Sequence, residues 1–205
     1  MLSKTLNLTT ILLSLYLNVS LGYHKELNHA LVARTLVHQT NWAAIGSIST
    51  LPDLKHYPMV NVVSINDVNA QHQSTGRIQF LLTNVDYTGQ DVEENNKVTL
   101  LFSDEQLLHC SLQNIDPLEP ICARAIISGE VKWLDQNDKY YLDSLGSFFE
   151  RHPASKRWLH YHNFYLCELE ITNIAVVDYY GGVHNVKPSD YYNILLNDKV
   201  ILNNH

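Results

Sequence analysis

Basic side chains are scarce in this 205-residue chain: 14 Lys and Arg stand against 21 Asp and Glu, a formal net charge of −7 with histidine neutral. No basic stripe is present, which argues against nucleic acid as a direct partner. Catalytic signatures are missing too. There is no GxSxG of a serine hydrolase, no GxGxxG or P-loop for a nucleotide, no CxxC and no zinc-ligand spacing. Internal repeats and low-complexity segments are absent. After residue 22 no apolar run approaches the roughly 20 residues that a membrane span needs.

The first 22 residues differ from the rest. Lys4 is their only charge, an apolar run extends from Leu6 to Leu17, and Ser20-Leu21-Gly22 places small residues at −3 and −1. This is the pattern of a secretory signal cleaved after Gly22. An uncleaved anchor is disfavoured because Asn7, Thr9, Thr10, Ser14 and Asn18 interrupt the run. The expectation is a signal at residues 1–22 and one domain over 23–205, with no membrane span. All eleven histidines lie after residue 22, and protonating them would reverse the sign of the net charge.

In an oxidising compartment two of the three cysteines are expected to bridge. Cys110 and Cys122 flank "SLQNIDPLEPI", a loop with two prolines, whereas Cys167 lies in the strand-like "NFYLCELEI" and reads as a buried apolar residue.

Three- and four-residue apolar spacing over 26–40 predicts an amphipathic helix through Leu27, Ala30, Leu31, Arg34 and Val37. Seven strand-like runs follow, at 42–49, 60–65, 77–83, 97–103, 123–133, 163–171 and 174–180. Between the fifth and sixth, residues 138–151 read as a helix capped by Asn137 or Asp138 and ended by Pro153. The polar stretch Asn66 to Gly76 reads as an exposed connection. Many short strands with few helices predict a closed or partly closed barrel, mainly β with a few helices.

Candidate sites are sparse. His160 and His162, two apart on a strand, would share a face and could hold a metal, but no further ligands are identified; a turn with packing histidines is favoured, and no metal is expected. The Tyr-rich "DYYGGVHNVKPSDYY", residues 178–192, resolves into a strand end, a Gly181-Gly182 turn, and a short helix from Pro188 whose Tyr191, Tyr192, Leu195 and Leu196 would latch onto the barrel or a second subunit.

Several segments resemble the CREG family of secreted or lysosomal glycoproteins, named as cellular repressors of genes stimulated by an adenoviral early protein. They are "HQTNWAAIGSIST" (38–50), the cysteines around "DPLEP", "ISGEV" (127–131), "FFERHP" (148–153), "HNFYLCELEITNIAVVDYYGG" (162–182) and "KPSDYY" (187–192). The family-motif residues are Arg151, His152, Pro153, His162, Asn163, Asp178, Tyr179, Gly181, Gly182, Tyr191 and Tyr192.

The resemblance implies a homodimeric FMN-binding split β-barrel, pyridoxamine-phosphate oxidase-like, in a member that has lost the cofactor. It further implies that Asp116, Pro117, Leu118 and Glu119 form a loop over the old flavin site. No catalytic or cofactor-binding residues are expected. Function would lie in binding a protein partner or a cell-surface or sorting receptor, with a role in growth, differentiation or lysosomal function and only indirect transcriptional repression. The location implied is extracellular or the lysosome lumen.

The alternative is an FMN-dependent oxidoreductase of the same fold, in which Lys55, Arg77, Lys97 and Arg124 converge on the phosphate. A third reading is a carrier whose surface responds to pH through its histidines. The only N-glycan sequons, at Asn7 and Asn18, lie in the segment expected to be removed, so sorting through the mannose 6-phosphate receptor is in doubt.

Overall fold

The computed structural model describes residues 28–196; the expected cleavage after Gly22 lies outside them. Helix α1 (His29–Gln39) is capped by the Asn28 side chain, which accepts from the Leu31 N–H. Strands β1 (Trp42–Ile48), β2 (Pro58–Val68) and β3 (Ser74–Leu82) lead to α2 (Tyr87–Glu94) and β4 (Lys97–Ser103). A short helix α3 (His109–Leu112) precedes β5 (Arg124–Trp133). Helices α4 (Lys139–Arg151) and α5 (Lys156–His162), strands β6 (Tyr165–Val177) and β7 (His184–Val186), and α6 (Pro188–Tyr192) complete the described chain.

The strands run β3-β2-β1-β4-β5-β6-β7, and β3 also pairs with β6, so β1 to β6 close into an antiparallel barrel with β7 added outside the ring. Inward positions alternate with outward ones along each strand. Ile45, Ile65, Phe80, Leu100, Phe102 and Ile127 fill the interior and are almost wholly buried. Helix α1 reaches every strand from β2 to β7 and inserts Ala33, Leu36 and Val37 into the same core, so it stoppers the barrel. Helix α4, capped by Asp138 through the Tyr140 N–H, lays Tyr141 and Phe148 against Leu81 and Leu166 outside the β3–β6 seam.

Three sequence expectations are corrected. The runs 163–171 and 174–180 are one strand, β6, ending at Val177. Opposite Ser128 and Gly129 it carries one extra residue, Thr172, and its inward side switches from Cys167, Leu169 and Ile171 to Ile174 and Val176. A bulge causes such a switch, and in sequence it reads as a break. Second, the exposed connection is shorter than Asn66 to Gly76: only residues 69–73 lie between β2 and β3, with Ala70 to Gln73 exposed, whereas Asn66 and Asp67 are fully buried, because the strands extend into the stretch and distant side chains satisfy its polar groups. Third, residues 160–162 are not a turn but the end of helix α5. Asn163 stops that helix in a left-handed conformation.

Candidate functional site: grooves, an apolar face and three anchored motifs

Most of the family-motif residues occupy three places, with Pro153, His162 and Asn163 around α5 outside them. The first is a buried node around Asp67. Arg151, the last residue of α4, donates from one terminal nitrogen to Asp67 Oδ1 at 2.9 Å and from the other to the His38 and Thr40 carbonyls at 2.7 and 2.6 Å; its Nε reaches Asn41 Oδ1. One side chain thus ties α4 to β2 and holds carbonyls at the C-terminal end of α1, where a cation is favoured. Asp67 also accepts from Ser74 Oγ at 2.5 Å and contacts His38 Nδ1 at 3.1 Å. Burial works to raise its carboxyl, but His38, Ser74 and Arg151 outweigh this and hold it below the ordinary 3.8.

His152 places Nε2 2.8 Å from the Ile65 carbonyl. Burial lowers its pKa below 6.5, the bond to Ile65 works the other way, and Arg151 adds to the lowering. With the folded value below the unfolded one, this group's contribution to stability is intact above about pH 6.5 and is lost as pH falls through the folded value. Unfolding free energy measured from pH 7.5 to 5 is therefore expected to fall less steeply in His152→Gln, whose amide can still donate to Ile65, than in the wild type. Equal slopes would show that His152 does not titrate differently on unfolding.

The second place is the latch. Pro188 opens α6, and Tyr191 is fully buried, its hydroxyl donating to the Gly76 carbonyl at 3.0 Å and its ring 5.2 Å from the Arg34 guanidinium carbon. Tyr192 is partly exposed, and Leu195 and Leu196 lie beyond the helix. The third place is the turn after β6, where Tyr179, Tyr180, Gly181 and Gly182 are exposed, both glycines have positive φ, and Asp178 is buried. Pro153, exposed, begins the turn between α4 and α5, and the His162 carbonyl accepts from Thr83 Oγ1.

Cys110 and Cys122 form a disulfide, and Cys167 is buried inside the barrel, which pushes its thiol pKa up. The bridged loop carries Asp116, Pro117, Leu118 and Glu119, all exposed. Arg124 reaches toward the carbonyls of residues 117–119, and Tyr180 donates to Glu119 at 3.0 Å. The loop lines neither of the two grooves below.

One groove, about 600 Å³, runs between Gly46–Ile48, Pro58–Val60, Lys97–Thr99 and Ser128–Glu130. The other, about 630 Å³, is walled by Trp42, Val62, Trp158 and Phe164, with Asp86 and His162 among its polar groups. Among the described residues Lys97 is the only Lys or Arg lining either, and each groove also holds a carboxylate. Of the four cations that sequence left free to converge, two are placed far apart by the β4–β5 register. Lys97 lies opposite Glu130, six residues from Arg124 along β5, or about 20 Å at strand rise. Arg77 is bound to Glu168 at 2.6 Å and sits over the Tyr140 ring, and Lys55 is exposed in a turn. A phosphate monoester, which calls for several converging donors, does not fit either groove's side chains.

Sequence reading missed the outer face between the grooves. Val62, Ala44, Leu101, Ile126 and Ala175 stand in register across β2, β1, β4, β5 and β6. Val60 and Val62 are 74% and 62% exposed and Leu101 and Ile126 are also open, so a continuous apolar row faces outward. Apolar residues at alternate strand positions were visible in sequence, but their alignment depends on register.

A family model described as "CREG, beta-barrel" matches residues 24–193. Protein CREG1 of Mus musculus is 32% identical over 165 residues, covering 80% of this chain and 74% of that protein. Among solved structures, a heme binding protein from Mycobacterium smegmatis matches with TM-score 0.62 and 14% identity, over 82% of this chain and 61% of that one. A Clostridium acetobutylicum protein of the pyridoxinephosphate oxidase family matches with TM-score 0.50 and 12% identity, over 81% of this chain and all of that one. These structural likenesses are of fold, and they identify the barrel as a pyridoxamine-phosphate oxidase-like split barrel.

Proposed function

The chain belongs to the CREG family, and on that premise we propose that it is a non-enzymatic, secreted or endolysosomal homodimer that acts by binding other proteins, in control of growth, differentiation or lysosomal function. The observation that carries this reading is the pairing of an apolar row on the outer barrel face with grooves that lack converging cations. A second copy of the chain is the occupant of that face: the row crosses five strands, and a self-complementary patch suits two-fold pairing. Any effect on transcription is indirect. Lysosomal delivery proceeds by a route that does not use N-glycans of the mature chain.

Sedimentation at micromolar concentration is expected to find a dimer, and Leu101→Glu to weaken it roughly a hundredfold, as burying an unpaired charge at a central interface position costs about 3 kcal/mol. A monomeric wild type would remove the assigned occupant. Flavin absorbance after adding excess FMN tests the other half: the expected result is no binding, and stoichiometric flavin would make the protein an oxidoreductase candidate instead.

A further inference from the structure

Beyond the binding function, the geometry points to a divalent cation site of the zinc class formed by His29, Asp178 and His184. These residues come from the first turn of α1, the residue after β6 and the start of β7, and their ligand atoms all lie within 4.8 Å of one another. His29 Nδ1 is 2.7 Å from Asp178 Oδ2. The His29 and His184 rings are stacked, centroids 3.7 Å apart and planes within 10°.

An independent observation comes from the carboxylate. The Asp178 side chain is only 2% exposed, and its second oxygen, Oδ1, is buried with no hydrogen-bond partner. An orphaned acceptor on a buried carboxylate is costly, and a cation beside it would relieve the cost. His29 supplies one contact to Oδ2 and nothing to Oδ1.

Two imidazole nitrogens and a carboxylate oxygen are a borderline donor set suited to Zn²⁺, at about 2.0–2.2 Å per bond. Ligand atoms around a tetrahedral ion are then about 3.4 Å apart. The distances here need only small adjustments, but parallel rings direct their lone pairs side by side. Binding therefore requires the two imidazoles to rotate apart about their side-chain bonds. Both residues are only partly buried, which leaves room for that rotation and for water as a fourth ligand. The other triad with ligand-like spacing, Glu105, Cys110 and Cys122, is disqualified because its cysteines are bonded to each other.

Occupancy would clasp the start of α1 to the segment between β6 and β7, joining positions 149 residues apart. The consequence is metal-linked stability, since an ion that binds only the folded state stabilises it by mass action.

The test uses the chain expressed without a polyhistidine tag and stripped with chelator. Zn²⁺ titration followed by calorimetry is expected to give one site per chain, Co²⁺ to give the visible absorption of a low-symmetry four-coordinate ion, and Zn²⁺ to raise Tm. His184→Ala and Asp178→Asn are each expected to weaken binding at least tenfold and to abolish the Tm increase, with folding confirmed by circular dichroism. His184→Ala alters a partly exposed ring on a three-residue strand, so it keeps the test open if the Asp178 variant does not fold. The proposal is overturned if the wild type takes up no stoichiometric ion, or if uptake is unchanged in the folded variants, which would place the ion on other histidines.

Discussion

Arg151→Ala is expected to lower unfolding free energy by about 3–5 kcal/mol, the cost of leaving a buried carboxylate without its cation. Asp67 is fully buried, and Arg151 is its only arginine partner, with His38 as the remaining cationic candidate. The same substitution frees the His38 and Thr40 carbonyls. For a domain of this size the change amounts to roughly 10 °C in Tm. Arg151→Lys should fall between, since an ammonium carries the charge but cannot span acceptors on three sides as the planar fork does. Thermal and urea unfolding of both variants measure this directly. A loss under about 1 kcal/mol for the alanine variant would show that the node is not what joins α4 to the barrel.

Gly76→Ala should cost about 3 kcal/mol or more, for two separable reasons. Its φ is +75°, which adds about 1–2 kcal/mol of backbone strain for any residue bearing a Cβ. That Cβ would also lie 1.8 Å from a terminal nitrogen of Arg34 and 3.0 Å from the Tyr191 ring. Arg34 is 1% exposed, so its guanidinium has no solvent to retreat into. A double-mutant cycle separates the two contributions: in an Arg34→Ala background the collision with Arg34 is gone, and Gly76→Ala should then cost only the backbone strain and the tight contact with Tyr191. Equal costs in both backgrounds would refute the packing argument and leave strain alone.

The parts of this fold that sequence discloses are those whose cause is local. Asp138 before an amphipathic run and Pro153 after it mark both ends of α4, because a cap and a stop act within a few residues. The alternation of Ala125, Ile127 and Val131 marks β5 for the same reason. Thr172-Asn173 misleads because a bulge and a strand break have one local signature, and only pairing with Ser128 and Gly129 tells them apart. The polarity of Asn66 and Asp67 suggests solvent, but their partners include His38 and Arg151, 29 and 84 positions from Asp67.

The same limit applies to the candidate sites. The segment holding Asp178, Tyr191 and Tyr192 is conspicuous for its tyrosines, yet what Asp178 and Tyr191 touch is set by His29 and Gly76, at separations of 149 and 115 residues. Cation convergence on a phosphate was open in sequence because Lys97 and Arg124 both lie on strands. Register places these two far apart along the β4–β5 pair, a separation that sequence alone does not show.

The seam that closes the barrel has a consequence in time. Gln79 pairs with Glu168, 89 residues later, and there Arg77, Gln79, Tyr140 and Glu168 form one hydrogen-bonded cluster whose burial and bond to Glu168 push the Tyr140 pKa up to about 12. During synthesis β3 emerges well before β6 exists, so its unpaired edge must wait while α2, β4, β5 and α4 are made. Loop-closure entropy of that order makes ring closure a slow, late event, and until it happens the nascent chain exposes a strand edge that can template association. Helix α1, whose contacts run from β2 to β7, cannot seat fully until the ring is complete. The first of the described helices is thus among the last elements to find its place.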